Sequence, residues 1–130
     1  VYEGKELSID NILQISDKYD DRIRPFIEIA NDSTDIESLE LTGLEQGYTL
    51  KTLSAALWSL WHCKSFEDGL LQVVNAGGDA DTNAAVACAI LGTKFGFSSI
   101  PQKYVSGLIG ESRIKETSEE LYRMYCQTLK

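Results

Sequence analysis

The chain has 130 residues, 43% of them hydrophobic, which suffices for one domain with a real core and is too apolar for disorder. Its 12 basic and 20 acidic residues give a net charge of −8, which argues against a nucleic-acid surface, because that requires clustered Lys and Arg. Cys63, Cys88 and Cys126 are odd in number, widely spaced and without a Cys-x-x-Cys pair, so a reducing, cytoplasmic setting is expected; no apolar run is long enough for a membrane span and the start does not read as a signal peptide.

Most segments carry helical period, and alternation of β-branched residues is absent. Ser8 is placed to cap a helix with Ile9, Ile12, Leu13 and Ile15 inward. Asp20 is placed to cap the next, with Ile23, Phe26, Ile27 and Ala30 inward and Pro25 tolerated near its first turn. Asn31-Asp32-Ser33 reads as a stop. Thr34 and Glu37 have capping-box spacing for a short helical turn, and Thr42 to Gly47 is loop. The longest amphipathic stretch runs from Thr49 to Cys63, with Leu50, Leu53, Ala56, Leu57, Leu60 and Trp61 recurring at three- and four-residue steps. Trp58, Trp61 and Phe66 read as core. Ser65 caps a helix from Phe66 to Asn75 with Leu70, Leu71 and Val74 inward.

The next helix, Thr82 to Phe95, ends at Gly96; its run from Ala84 to Gly92 has almost no polar face and predicts a place near the centre of the fold. Ile100-Pro101 opens a short helix, and Ser112 is placed to cap the last, with Ile114, Leu121, Tyr125 and Leu129 on one side. The Glu116–Glu120 cluster reads as a solvated face. The expected fold is all-α, a compact orthogonal helical bundle forming a single domain over residues 1–130.

The chemistry concentrates at Ala76-Gly77-Gly78-Asp79-Ala80-Asp81-Thr82-Asn83. Two carboxylates and a hydroxyl lie on one tight turn at the start of an apolar helix, with Asp81 or Thr82 placed to cap it. Hard oxygen donors of this kind suit Mg²⁺, Mn²⁺ or Ca²⁺ better than zinc, and the two glycines let the backbone turn sharply. A capped turn with solvated aspartates accounts for the same residues. A helix–loop–helix calcium site is excluded, because its sixth and twelfth positions hold Ala84 and Ile90 instead of Gly and Glu. His62, the single histidine, lacks zinc-ligand spacing with Cys63.

Read with its flanks, the turn is more specific. Gly47-Tyr48-Thr49-Leu50-Lys51, Ser65-Phe66-Glu67-Asp68, Val74-Asn75-Ala76-Gly77-Gly78-Asp79-Ala80-Asp81-Thr82, Leu91-Gly92, Phe95-Gly96 and Ile100-Pro101 follow in an order and spacing that resemble the ADP-ribosylglycohydrolase family, over about residues 40 to 110 and more loosely beyond. The resemblance covers the C-terminal part of that fold only. It implies a hydrolase that removes ADP-ribose from a modified side chain, with two divalent cations, usually Mg²⁺, held in part by Asp79, Asp81 and Thr82, and Asp81 bridging them. It implies that Gly47 and Tyr48 lie beside the ADP-ribose. Tyr48 would either stack on the nucleotide or pack on the core. The family's remaining ligands come from a Thr-Asp-Asp motif near the N-terminus of a longer chain. Tyr19-Asp20-Asp21-Arg22 lacks that threonine and is explained as a helix cap, so no ligand role passes to it. The implied partners are an ADP-ribosylated substrate and the N-terminal half of the same fold. A non-catalytic relative retained for binding or structural use is the alternative.

Overall fold

The computed structural model describes residues 8–128, in which seven α-helices and two short 3₁₀ turns occur and no strand. The all-α expectation therefore holds. By its contacts the chain divides into two units, Val1–Ser99 and Ile100–Lys130.

The first unit holds α1 (Ile9–Ser16), α2 (Ile23–Asp32), α3 (Thr49–His62), α4 (Phe66–Asn75) and α5 (Ala80–Phe95), with 3₁₀ turns at Ile36–Leu39 and Phe97–Ser99. Local chemistry sets most of these ends. Ser8 caps α1 by accepting from the Asn11 N–H, and Gly96 closes α5 at φ 83°. Ser65 caps α4 through the Asp68 N–H at 3.1 Å, while the Asp68 carboxylate takes the Lys64 N–H at 3.0 Å. Two free donors are thus satisfied reciprocally. Ser65→Ala is expected to cost about 1 kcal/mol, read as a lower urea midpoint at unchanged slope.

Two caps differ from the sequence reading. The 3₁₀ turn is capped by Asp35, which accepts from the Ser38 N–H, and not by Thr34. Neighbouring residues that are both competent caps compete, and the carboxylate, a charge-assisted acceptor, takes the amide. Asp20 stands ahead of the first turn of α2. Its carboxylate accepts the Arg22 N–H at 2.9 Å and pairs with the Arg22 guanidinium at 2.7 Å, which holds it well below the usual carboxylate range.

The centre of this unit is α3, packed by α2, α4, α5 and the first 3₁₀ turn, with every residue from Ser54 to Ser59 buried. Small side chains permit that approach. Their hydroxyls are satisfied by carbonyls: Ser54 Oγ donates to Phe26 O at 2.8 Å and Ser59 Oγ to Ala56 O at 2.8 Å. Trp58 and Phe66 are buried as expected, and the Trp58 indole N–H donates to Ser33 O.

The expectation of a central α5 is met on one face only. Asn83, Ala84, Ala87 and Leu91 are buried against α3 and α4, while Ala85, Val86 and Ala89 are exposed. In α4 the inward residues are Phe66, Gly69 and Val73, and Leu71 and Val74, expected inside, are exposed. Gly69 is what lets α5 in, because a Cβ there would lie 2.4 Å from a Leu91 methyl. On α1, Ile15 is half exposed and Ser16 takes the buried position.

Cys63 closes α3 and is buried; burial pushes its thiol up to about 11. Because the thiolate is the reactive form, Cys63 is expected to be the slowest of the three cysteines to react with a disulfide reagent at pH 8, followed by mass spectrometry.

The second unit holds α6 (Gln102–Ser106), entered through Pro101, and α7 (Glu111–Thr128). Ser112, expected as the cap of α7, lies inside its first turn. Ile114, Leu121 and Tyr125 are exposed, as is the Glu116–Glu120 stretch; Leu129 lies outside the described residues.

Candidate metal centre

The loop between α4 and α5 reverses the chain through two consecutive glycines. Gly77 has φ 77° and Gly78 φ 67°, a region that disfavours any residue with a Cβ. Gly78 is also pressed onto the Leu41–Thr42 segment. A Cβ there would sit 2.0 Å from the Leu41 carbonyl oxygen, whereas one on Gly77 would meet only the Thr42 methyl at 3.4 Å.

This reversal delivers Asp79 to the N-cap position of α5, where its carbonyl accepts the Asn83 N–H at 2.9 Å. Its side chain makes no cap bond. The sequence reading assigned the cap to Asp81 or Thr82, but both fall inside the first turn, because the helix begins at Ala80. Hydrogen bonding at Asp79, and then to the N–H groups of Thr82 and of Asp81 itself, holds the Asp81 carboxyl below its ordinary value. Asp81 and Thr82 are exposed and Asp79 is half-buried.

Two carboxylates and a neighbouring hydroxyl at a helix start are a hard-oxygen donor set, and they fit Mg²⁺ or Mn²⁺ in kind. In number they cover only part of a site. Among the described residues no group of three or more His, Cys, Asp or Glu converges, so two ions would need further ligands. Asp20 is committed to Arg22. His62 Nε2 lies 3.1 Å from the Ala30 carbonyl, and its ring lies over Trp58.

Gly47 and Tyr48 stand at the start of α3. The Tyr48 carbonyl accepts the Lys51 N–H at 2.8 Å and the Thr52 N–H at 3.4 Å. Its ring meets Phe26 edge-on, with centroids 5.6 Å apart, yet the residue remains 37% exposed. One edge is therefore fixed on the core and part of the ring is left accessible. Gly47 is exposed, with φ outside the left-handed region and open space where a Cβ would stand. The fold itself does not require glycine there.

A buried hydrogen bond joins these two places. Thr52 Oγ1 donates to Asn83 Oδ1 at 2.8 Å. Thr52 is the fourth residue of α3 and Asn83 the fourth of α5, so the starts of both helices lie at one end of the unit. The sequence reading missed this bond. Its signal was a polar Asn83 at four-residue spacing ahead of Ala87 and Leu91 on an otherwise apolar face.

An all-α chain with paired aspartates at a Gly-Gly turn, facing the end from which a Gly-Tyr helix starts, defines a narrow class. The ADP-ribosylglycohydrolase profile matches residues 3–129, and the chain belongs to that family. It is 38% identical over 78 residues to the ADP-ribosylarginine hydrolase Tri1 of Serratia proteamaculans, covering 60% of this chain and 21% of that protein. An uncharacterized protein of Archaeoglobus fulgidus is 32% identical over 128 residues, covering 96% of this chain and 41% of the relative. The ADP-ribosyl-[dinitrogen reductase] glycohydrolase of Rhodospirillum rubrum is 35% identical over 66 residues, 51% of this chain and 22% of that enzyme. The matched regions thus span at most about two-fifths of these relatives. No solved structure matches the chain. Among the described residues no helix is long and apolar enough to cross a membrane.

Proposed function

We propose that this chain forms one wall of a metal-dependent ADP-ribosyl hydrolase, which removes ADP-ribose from a modified protein side chain together with the N-terminal half of the same fold. The observation that carries this reading is the placement of the Asp79 and Asp81 carboxylates and the Thr82 hydroxyl together at the start of α5, behind the Gly77–Gly78 reversal. A turn kept only for folding has no need of both aspartates, since one cap acceptor suffices. Family membership and the relatives' names supply the reaction class. The free thiols of Cys63, Cys88 and Cys126 accord with a cytoplasmic setting.

Asp79, Asp81 and Thr82 would hold two cations, Mg²⁺ or Mn²⁺, with the rest of the ligands coming from the other half. When bound, the ions supply positive charge for the ribose hydroxyls and offset an anionic nucleotide on a chain of net charge −8. Tyr48 offers a ring already braced by Phe26 for packing against the nucleotide, and Gly47 leaves room for a ligand to approach the backbone. In the reaction the bond from the ribose anomeric carbon to the acceptor breaks through an oxocarbenium-like sugar; the acceptor leaves with the bonding pair and gains a proton, and water adds its oxygen to the anomeric carbon and gives up one proton.

The test is reconstitution. The chain is mixed with the N-terminal half of a family member that carries the Thr-Asp-Asp motif, and release of free ADP-ribose from an ADP-ribosylated arginine peptide is followed. Release is expected from the mixture with Mg²⁺, and none from either part alone or after chelation. A mixture that forms a complex but releases no ADP-ribose, whether or not it binds it, would favour the non-catalytic relative.

A further inference from the structure

The geometry points to Thr52 and Asn83 as a positioning pair that sets α3 against α5 and so holds the Asp79–Thr82 turn in register with Gly47–Tyr48. The functional part of this inference rests on the metal reading above. Asn83 is 0% exposed and Thr52 7%. Asn83 Oδ1 accepts from Thr52, but its Nδ2 has no partner among the described residues. Leaving a buried amide donor unpaired is unfavourable, and the neighbours on this face, Ala84, Ala87 and Leu91, show that an apolar side chain would pack there. What the amide adds is direction. A hydrogen bond has one short, aligned geometry, while an apolar contact tolerates sliding and rotation.

Both partners sit one helical turn from a candidate site residue. The Thr52 N–H donates to the Tyr48 carbonyl, and the Asn83 N–H donates to the Asp79 carbonyl. The single side-chain bond therefore connects Tyr48 to Asp79 through two backbone hydrogen bonds. Neither side chain is a metal ligand in this reading. They act through the backbone of Tyr48 and Asp79.

The experiment compares this chain with Thr52→Val, Thr52→Ser, Asn83→Leu and Asp81→Ala, using Mn²⁺ alone as the probe. Two quantities are read: Mn²⁺ affinity by electron paramagnetic resonance, and amide hydrogen exchange without metal. Thr52→Val keeps the side-chain shape and removes the hydroxyl. It is expected to speed exchange of the Asn83 amide about fivefold, as for loss of one buried neutral hydrogen bond, while the Thr93 amide at the other end of α5 keeps its rate. Mn²⁺ binding should weaken by about the same factor, and Thr52→Ser should restore both. Asn83→Leu removes the acceptor instead of the donor, and should weaken Mn²⁺ binding as Thr52→Val does. Unchanged exchange at Asn83 in Thr52→Val, or equal acceleration at Asn83 and Thr93, overturns the positioning role. So does wild-type Mn²⁺ affinity in both Thr52→Val and Asn83→Leu when Asp81→Ala has lost it. Equal Mn²⁺ binding by the wild type and Asp81→Ala removes the metal reading instead, and the exchange result alone then decides whether the pair sets the helix register.

Discussion

Asp81→Ala is expected to abolish the gain in Mg²⁺ or Mn²⁺ affinity that comes from adding the N-terminal half of the fold. The isolated chain offers two carboxylates and one hydroxyl on a solvent-open turn, and Mg²⁺ sheds its water reluctantly. Such a site binds on the order of millimolar. The other half would surround the same ions with further carboxylates, and binding should tighten sharply. Asp81 is the residue whose loss is expected to cost most, because in the proposed site its carboxylate would serve both ions. The expected loss exceeds about 100-fold, beyond the 10- to 100-fold typical of groups one shell away from a metal. Asp79→Ala should reduce the gain without removing it. Asp20→Ala should leave it unchanged, since that carboxylate is clamped to Arg22. Protons compete with the cation for the same oxygens, so affinity should hold at neutral pH and decline as pH falls into and below the ordinary aspartate range, near about 4. Calorimetric titration of the reconstituted pair checks each statement. Equal binding by the wild type and Asp81→Ala would end the metal role and the hydrolase reading with it.

The largest loss of stability is expected from Gly78→Ala. Two penalties coincide at this position. Its φ of 67° places a Cβ in the left-handed region, at about 1–2 kcal/mol. That Cβ would also stand 2.0 Å from the Leu41 carbonyl oxygen, a backbone atom that cannot swing aside as a side chain would. Leu41 is buried, as are Ile36 and Leu39, so yielding means shifting packed backbone, at about 1–3 kcal/mol more. The sum of about 3 kcal/mol is a large part of the stability of an ordinary domain. Gly77→Ala is the control. It carries a similar φ of 77° but meets only the Thr42 methyl at ordinary contact distance, so it should lose about 1–2 kcal/mol from strain alone. Urea unfolding of the two variants decides between them. Equal midpoints would mean that Leu41 and the Gly77–Gly78 turn are not pressed together. Where Gly78→Ala still folds, the displaced turn should also bind Mn²⁺ more weakly.

The sequence by itself determined the all-α class, most helix boundaries and the place of the paired aspartates. These depend on neighbours a few residues away. Ser8 and Ser65 cap because their hydroxyls reach an amide three residues on, and α5 stops at Gly96 because that position needs a left-handed φ. Only the tertiary structure decided which helix is enclosed. The apolar run of α5 and the small-residue run of α3 both permit burial, but packing elements come from four directions onto α3, while Ala85 and Val86 of α5 are left exposed. It also decided the inward face of α4, where Gly69 and Val73 took the place expected of Leu71 and Val74, because α5 needs the close approach that only glycine allows. The Thr52–Asn83 bond spans 31 positions. No local pattern pairs a hydroxyl with an amide at that separation; they meet because two helices packed by their small and apolar faces bring their first turns together.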